Sequence, residues 1–63
     1  MTNNIKYCRV DCGYTQKELA DEIGVTRQSL SDYENGKYRI PKEVLLRIAE
    51  VLMVDIVDLL VEW

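Results

Sequence analysis

The chain has 63 residues, a formal net charge of −3, and 48% hydrophobic residues beside 30% charged ones. This length predicts one domain, residues 1–63, with a core too small to enclose a deep catalytic cavity, so we do not expect an enzyme. The absence of histidine, of an apolar run that could span a membrane and of a signal-peptide pattern predicts a soluble cytoplasmic protein without cofactors. Apolar residues recur at helical spacing and nowhere alternate as in strands, which indicates an all-α fold.

The first predicted helix runs from about Asn3 or Asn4 to Cys12. Ile5, Cys8 and Cys12 share one face of it, so we expect both cysteines to pack as small buried hydrophobic residues. Two thiols without histidine are too few ligands for zinc, and we predict no metal site. A disulfide within one helix is geometrically awkward, which leaves a thiol switch as the minor alternative.

Residues 15–36 predict two short helices joined by a tight turn. Thr15 followed three residues later by Glu18 is a capping box that starts one helix at residue 16, and Gly24 ends this helix. Thr26 caps the next helix, which an Asn-Gly pair ends. Helices this short are unstable alone and must pack on each other. The pair is typical of a helix-turn-helix unit that reads DNA, in which outward side chains of the second helix face the DNA.

Two further helices complete a predicted bundle of five. Pro41 lies in the first turn of the fourth helix, where its missing N–H is tolerated. Asp55 and Asp58 predict a cap and a first-turn acid for a last helix of about residues 55–62. The side chains of these helices that we expect to face the core are Val44, Leu45, Ile48, Ala49, Leu52, Ile56, Leu59 and Leu60.

The C-terminal segment holds more apolar residues than this core uses. Met53, Val57, Val61 and Trp63 remain unassigned, which is more apolar surface than a small monomer comfortably exposes. Because tryptophan is favoured at the centres of interfaces, we expect an isologous homodimer through the last helix. Its two recognition helices would lie about 34 Å apart over a near-palindromic site. The alternative is that Trp63 folds over the core or frays as a chain end.

An ordered set of residues makes the chain resemble a known family. The set consists of Arg9, the run from Thr15 to Ala20, Gly24-Val25-Thr26, Ser29, Glu34-Asn35-Gly36, Pro41 and the stretch from Leu52 to Leu60. From Ile5 to Leu60 the chain is similar to the Cro and phage-repressor class of helix-turn-helix domains, the XRE-like family. The resemblance implies a compact five-helix bundle of the lambda repressor type that binds specific double-stranded DNA, usually as a repressor. Met53 departs from the family, which tends to place glycine there.

The resemblance also implies which residues read the bases. Arg27 and Gln28 open the recognition helix and would contact base edges in the major groove, with arginine suited to guanine and glutamine to adenine. Ser31 and Asp32 share that outer face one turn later. Asp32 could accept from cytosine N4, but it also repels phosphate, so passive exposure is the alternative. Without the flanking motif, all four would be interpreted as an ordinary solvated face.

The remaining implied roles are phosphate contact and structural support. Gln16 would clamp a DNA phosphate at the start of the first motif helix. The further residues expected to contact phosphates are Lys17, Thr26, Lys37, Arg39 and Lys42. The alternative for Lys37 and Arg39 is that they only keep the loop solvated and contact no phosphate. Arg9 and Glu34 match a family ion pair between the first helix and the end of the third.

The charge is unevenly distributed. Residues 25–42 hold four basic and two acidic side chains, whereas residues 43–63 hold one basic and five acidic. The acidity therefore lies mostly away from the predicted DNA face. Because few phosphates are neutralised, we expect weak non-specific binding, a modest salt dependence and a need for dimerisation.

Another functional class remains open at this point. A domain of this kind can also act as an antitoxin or anti-repressor that works mainly by binding a protein, and the acidic, apolar C-terminal end would suit that role. The sequence shows no pocket for a small-molecule effector. Charge reversal at Arg27 discriminates between the two classes, because it would abolish DNA binding and leave binding to a protein elsewhere intact.

Overall fold

The computed structural model describes residues 3–60, which form five α-helices and no strand. The helices are α1 (Ile5–Asp11), α2 (Gln16–Ile23), α3 (Arg27–Glu34), α4 (Lys42–Leu52) and α5 (Ile56–Leu59). The predicted all-α fold of five helices is thereby confirmed. Pro41 lies immediately before α4 and not within its first turn. Residues 61 and 62 of the predicted last helix lie outside the described range.

Side-chain caps set the start of both motif helices. The Thr15 hydroxyl accepts from the Glu18 N–H at 3.1 Å, and the Thr15 N–H donates to Glu18 Oε1 at 2.9 Å, which completes the predicted capping box. The Thr26 hydroxyl accepts from the Ser29 N–H at 3.0 Å in the same way. Each such cap stabilises its helix by about 1 kcal/mol. The Thr26 cap fixes the first residue of α3 and therefore which of its side chains face outward.

Every helix contributes a large, fully buried side chain to one core. These side chains are Ile5, Leu19, Ile23, Leu30, Ile48 and Leu59. Helix α2 packs against α3 and α4, and α4 packs against α5. No helix exceeds 11 residues, and helices of that length are marginal in isolation. Burial of their apolar faces, at about 25 cal/mol per Å², is therefore what holds the bundle together.

Asn4 joins the two ends of the described chain. Its backbone N–H donates to the Leu59 carbonyl oxygen at 2.9 Å, and its side-chain Nδ2 donates to the Asp58 carbonyl oxygen at 3.0 Å. The side chain is buried, so both bonds are shielded from water. The start of α1 is thereby fastened to α5.

Helix α4 ends at a residue that is strained. Met53 lies in the left-handed region with φ 57° and is the one non-glycine among the described residues with positive φ. The Val54 N–H donates to the Ala49 carbonyl oxygen at 3.0 Å and the Met53 N–H to that of Glu50 at 3.3 Å, which closes a Schellman turn. The left-handed backbone costs a non-glycine residue about 1 kcal/mol. With 90% of Met53 exposed, burial of its side chain offsets little of that cost.

Two residues that we expected in the core lie at the surface. Cys12 is exposed, because α1 ends at Asp11 and the apolar stripe ends with it. The Cys12 Sγ lies 3.5 Å from the Leu52 carbonyl oxygen, at the end of α4. Leu60 is 52% exposed, because α5 is a single turn and Leu59 already fills its place in the core. The predictions of burial for Cys12 and Leu60 were wrong.

Candidate nucleic-acid interface

The N-terminal half of α3 presents a polar face to solvent. Arg27 and Gln28 are exposed, and Ser31 lies partly exposed one turn later. Together with Gln16, from the start of α2, they line one shallow open depression. The fold thus brings Gln16 beside three of the predicted base-reading residues, although it lies eleven or more positions earlier in the chain. Polar groups from two helix N-termini share this surface, an arrangement suited to a polyanion.

Asp32 contacts Gln28 within α3. Gln28 Nε2 donates to Asp32 Oδ1 at 3.1 Å, a bond between residues one helical turn apart. Asp32 itself is partly buried. For the Asp32 carboxylate we expected either contact with a base or passive exposure to solvent. In the structure it is bonded to the Gln28 amide.

Glu34, at the end of α3, is the centre of a buried polar cluster. Its Oε2 accepts from Arg9 Nε at 2.6 Å, and its Oε1 accepts from Gln16 Nε2 at 2.9 Å. Arg9 Nη1 also donates to the Tyr14 carbonyl oxygen at 2.8 Å. The ionised side chains of Arg9 and Glu34 are only 9% and 2% exposed. The structure therefore places these two residues in direct contact and ties α1, the start of α2 and the end of α3 together.

This cluster also positions Gln16. One N–H of its amide is used by Glu34, so the side chain is fixed beside α3. Within residues 3–60 no buried side-chain nitrogen or oxygen lacks a hydrogen-bond partner. Glu34 Oε1 also accepts from Arg9 Nη2 at 3.4 Å, so both carboxylate oxygens are bonded to Arg9 while one of them binds Gln16. A bonded network of this kind restricts its members to one geometry.

The predicted phosphate-contacting cations are all exposed. Lys17 Nζ lies 3.1 Å from Asp21 Oδ2, but both side chains are more than two-thirds exposed, so this surface pair contributes little and leaves the ammonium accessible. Lys37 Nζ lies 5.7 Å from the centre of the Tyr38 ring. Arg39 is exposed in the loop after α3, and Lys42 is exposed as the first residue of α4.

Lys6 is a cation that the sequence analysis missed. It is exposed on α1 and lines a second depression, next to the first, that also includes Gln16, Lys17 and Arg27. The sequence signal was its spacing from Arg9, three residues later and on the same side of a helix. The contact between Arg9 and Glu34 shows that this side of α1 adjoins α3.

The predicted dimer residues lie in the C-terminal segment, around α5. Met53 and Val57 are 90% and 72% exposed, so neither is used by the core. Val61 and Trp63 lie outside the described residues. Leu60, which we had assigned to the core, adds its exposed surface to this segment.

Other kinds of site find little support between residues 3 and 60. No group of three or more histidine, cysteine, aspartate or glutamate side chains there could hold a metal ion. None of the helices described is long and apolar enough to cross a membrane.

Burial raises the pKa of the Cys8 thiol, and the Asp58 carboxylate raises it further. Cys8 is therefore a neutral packing residue at physiological pH.

Comparisons with known proteins agree with this geometry. Residues 5–59 match the family model described as helix-turn-helix. The chain is 36% identical over 61 residues to the HTH-type transcriptional regulator MJ0272 of Methanocaldococcus jannaschii, covering 97% of this chain and 92% of that protein. It is 38% identical over 51 residues to the SPbeta prophage-derived HTH-type transcriptional regulator YonR of Bacillus subtilis, covering 81% of this chain but only 47% of YonR. The chain therefore spans about half the length of that relative.

Solved structures that superpose on this chain are also transcriptional regulators. The clp gene regulator ClgR from Corynebacterium glutamicum superposes with a TM-score of 0.83 at 29% identity, over 87% of this chain and 58% of that one. The transcription factor NHTF from Neisseria superposes with a TM-score of 0.82 at 30% identity, over 89% and 63%. The resemblance inferred from the sequence is confirmed: the chain belongs to the XRE-type helix-turn-helix family, whose members are DNA-binding transcriptional regulators and not enzymes.

Proposed function

We propose that this protein represses transcription in the cytoplasm by binding a near-palindromic operator as a homodimer, with residues 1–63 acting as one DNA-binding domain. The observation that carries the proposal is the polar surface where the N-terminal ends of α2 and α3 meet. An α-helix fits the major groove of DNA, and the N-terminal residues of a recognition helix contact the base edges.

In this proposal the base-contacting residues are Arg27, Gln28 and Ser31, and Asp32 lies beside them on the same face of α3. Arg27 pairs with O6 and N7 of guanine, and the Gln28 amide pairs with N6 and N7 of adenine. Each such bidentate pair discriminates against a wrong base by about 1–3 kcal/mol. Ser31 supplies a hydroxyl that both donates and accepts, and therefore adds contact with little base preference.

Phosphate contacts would then flank the base-facing residues on two sides. Gln16 and the free N–H groups at the start of α2 meet one backbone strand, supported by Lys17, Thr26 and Lys6. The second strand meets the cations that follow α3, which are Lys37 and Arg39 in the loop and Lys42 at the start of α4. These contacts set the position of α3 on the duplex without selecting a sequence.

Dimerisation follows from the small number of cations. One protomer presents only a few accessible positive charges, and affinity for DNA depends on the number of phosphates neutralised. Two copies joined through Met53, Val57, Val61 and Trp63 would double that number and align two recognition helices about 34 Å apart. Regulation would then come from protein concentration, because the proposal includes no small-molecule effector and no cofactor.

In the test, the full chain first selects its preferred sites from a pool of random double-stranded DNA. The affinity for the selected site is then measured by titration at two salt concentrations. We expect a site with two related half-sites and a preference over random DNA of about a thousandfold or more, which is the lower end of the range for specific binding. Arg27→Glu combined with Gln28→Ala should abolish this preference without changing the unfolding midpoint. A selection that enriches no sequence would overturn the proposal.

The dimer is tested with the same site and with sedimentation of the free protein. Val57→Asp places a charge in the proposed interface and should give monomers that lose at least tenfold in affinity for the two-half-site DNA. The matched control is Glu43→Asp, which changes an exposed acid on α4 outside the proposed interface and should leave both measurements unchanged. A Val57→Asp protein that still sediments as a dimer would contradict the assigned interface.

The acidic, apolar C-terminal part also favours a second candidate function. Exposed Met53 and Val57 together with five acidic residues in 43–63 would suit an antitoxin or anti-repressor that binds a basic protein. In that case Arg27→Glu with Gln28→Ala would leave target binding intact, whereas Val57→Asp would remove it. The two variants therefore separate the two functions.

A further inference from the structure

The Gln28 side chain is exposed, yet its amide is bonded. One N–H on Nε2 donates to Asp32 Oδ1 at 3.1 Å. Asp32 is partly buried and its own backbone is anchored, because its carbonyl oxygen accepts from the Lys37 N–H at 2.9 Å in the turn that ends α3. Side chains on a helix lean toward its N-terminus, which directs Asp32 onto the turn that carries Gln28.

An ionised carboxylate constrains the amide that it contacts. It has acceptors only, so it can bind the nitrogen end of the glutamine amide and not the oxygen end. A half-turn of the Gln28 amide would place Oε1 against Asp32 Oδ1, which is repulsive. Asp32 therefore selects one of the two orientations that an unrestrained glutamine amide adopts.

The selected orientation leaves a defined pattern on the DNA side. With one N–H on Asp32, the Gln28 amide still has its carbonyl oxygen and a second N–H. Adenine presents an N6 donor and an N7 acceptor in the major groove, so one acceptor beside one donor matches it. A free glutamine side chain could also turn its amide to accept or donate elsewhere, and would lose rotational freedom on binding.

We propose that Asp32 is a positioning residue that holds the Gln28 amide in the orientation that reads adenine, and that it contacts no base itself. The inference rests on the proposed DNA-reading function of α3. It assigns Asp32 two separable effects, because its charge also repels phosphates. Loss of the charge should strengthen binding to all DNA, whereas loss of the acceptor should weaken only the preference for adenine.

The test uses the full chain and the DNA site obtained by selection, with every base pair of one half-site replaced in turn. Gln28→Ala first identifies the base pair that Gln28 reads, as the position where the preference for adenine disappears. Asp32→Ala should reduce the preference at this same base pair roughly 2- to 10-fold, the range expected from freeing one side chain. Asp32→Asn keeps a carbonyl acceptor for Gln28 but adds an N–H that can bind the flipped amide, so its preference should lie between those of the unchanged protein and Asp32→Ala.

Both Asp32 variants should bind random DNA more tightly than the unchanged protein, since both remove the negative charge. Adding Asp32→Ala to Gln28→Ala should change nothing further at the identified base pair. A reduced preference at a different base pair would show that Asp32 reads a base directly, and an unchanged preference in Asp32→Ala would show that it does not position Gln28. Either result overturns the inference. If the unchanged protein shows no sequence preference, the proposed function fails instead.

Unfolding in urea separates positioning from a purely structural effect. A Gln–Asp pair one turn apart stabilises a helix only slightly, so both Asp32 variants should unfold near the midpoint of the unchanged protein. If Asp32→Ala and Asp32→Asn lowered the midpoint and the adenine preference equally, loss of helix stability would explain the result and the inference would be wrong.

Discussion

The surface around the start of α3 and the surface around α5 expose different kinds of side chain. At α3, outward polar side chains are fixed by hydrogen bonds, such as those of Gln16 to Glu34 and of Gln28 to Asp32. At α5, Met53 and Val57 project into solvent with most of their apolar area uncovered. Polar groups in defined orientations suit recognition of a hydrogen-bonding pattern, whereas exposed apolar area suits burial against another protein surface.

The two surfaces also differ in charge. Residues 25–42 carry a net positive charge and residues 43–63 a net negative one. In the proposed complex this asymmetry would turn the α3 side toward the phosphates and the α5 side away from them. In the proposed function, a chain with a net charge of −3 binds DNA because most of its acids lie on the face that does not meet the duplex.

The largest expected loss of stability comes from a substitution in the buried cluster of Arg9, Gln16 and Glu34, which supports the α3 surface. Glu34→Ala would leave the Arg9 guanidinium buried without its partner, which costs about 3–5 kcal/mol. In a domain of this size that loss is a large part of the total stability. Urea unfolding at fixed protein concentration should therefore show a much lower midpoint, and DNA binding should weaken with it.

Two controls sharpen this result. Asp21→Ala breaks the exposed pair with Lys17 and should cost less than about 1 kcal/mol, since surface pairs contribute little. Replacing Arg9 and Glu34 together with Met and Leu removes both charges and should recover much of the loss. If the double variant unfolds as easily as Glu34→Ala, the stranded charge is not the cause.

A smaller effect is expected at Met53, on the α5 side. Met53→Gly relieves the left-handed backbone and should raise the free energy of unfolding by about 1 kcal/mol. Met53→Ala keeps the strain and serves as the control, with no such gain expected. Measurement at low protein concentration separates this backbone effect from any loss of dimer contacts. A gain in Met53→Ala equal to that in Met53→Gly would contradict the strain argument.

The smallest effect tests the extent of the DNA-facing surface. Lys6→Gln removes one proposed phosphate contact per protomer and should reduce the slope of log affinity against log salt by about 0.9 for each protomer bound. Sequence preference should not change, since phosphate contacts carry no sequence information. Lys6→Arg preserves the charge and should preserve the slope. An unaltered slope in Lys6→Gln would confine the DNA-facing surface to α2, α3 and the following loop.

Local signals were enough to predict the caps and the helix-turn-helix unit. A threonine three residues before a glutamate and a glycine after the last apolar position specify the ends of α2 through contacts between near neighbours. The errors came at Cys12 and Leu60, which continue an apolar spacing beyond the last turn of a helix. Periodicity shows which face is apolar, but burial there depends on where the helix ends and on what packs against it.

The sequence by itself determined the all-α fold, the family and the two helices of the motif, because apolar spacing and caps act over a few residues. Tertiary structure alone decided that Lys6 lies beside Gln16 and Arg27 and that Gln16 joins the expected pair of Arg9 and Glu34. These contacts join residues far apart in the chain, and their geometry follows from how the helices pack around Ile5, Leu30 and Ile48. A shared core sets the angles between helices, and those angles decide which distant side chains meet.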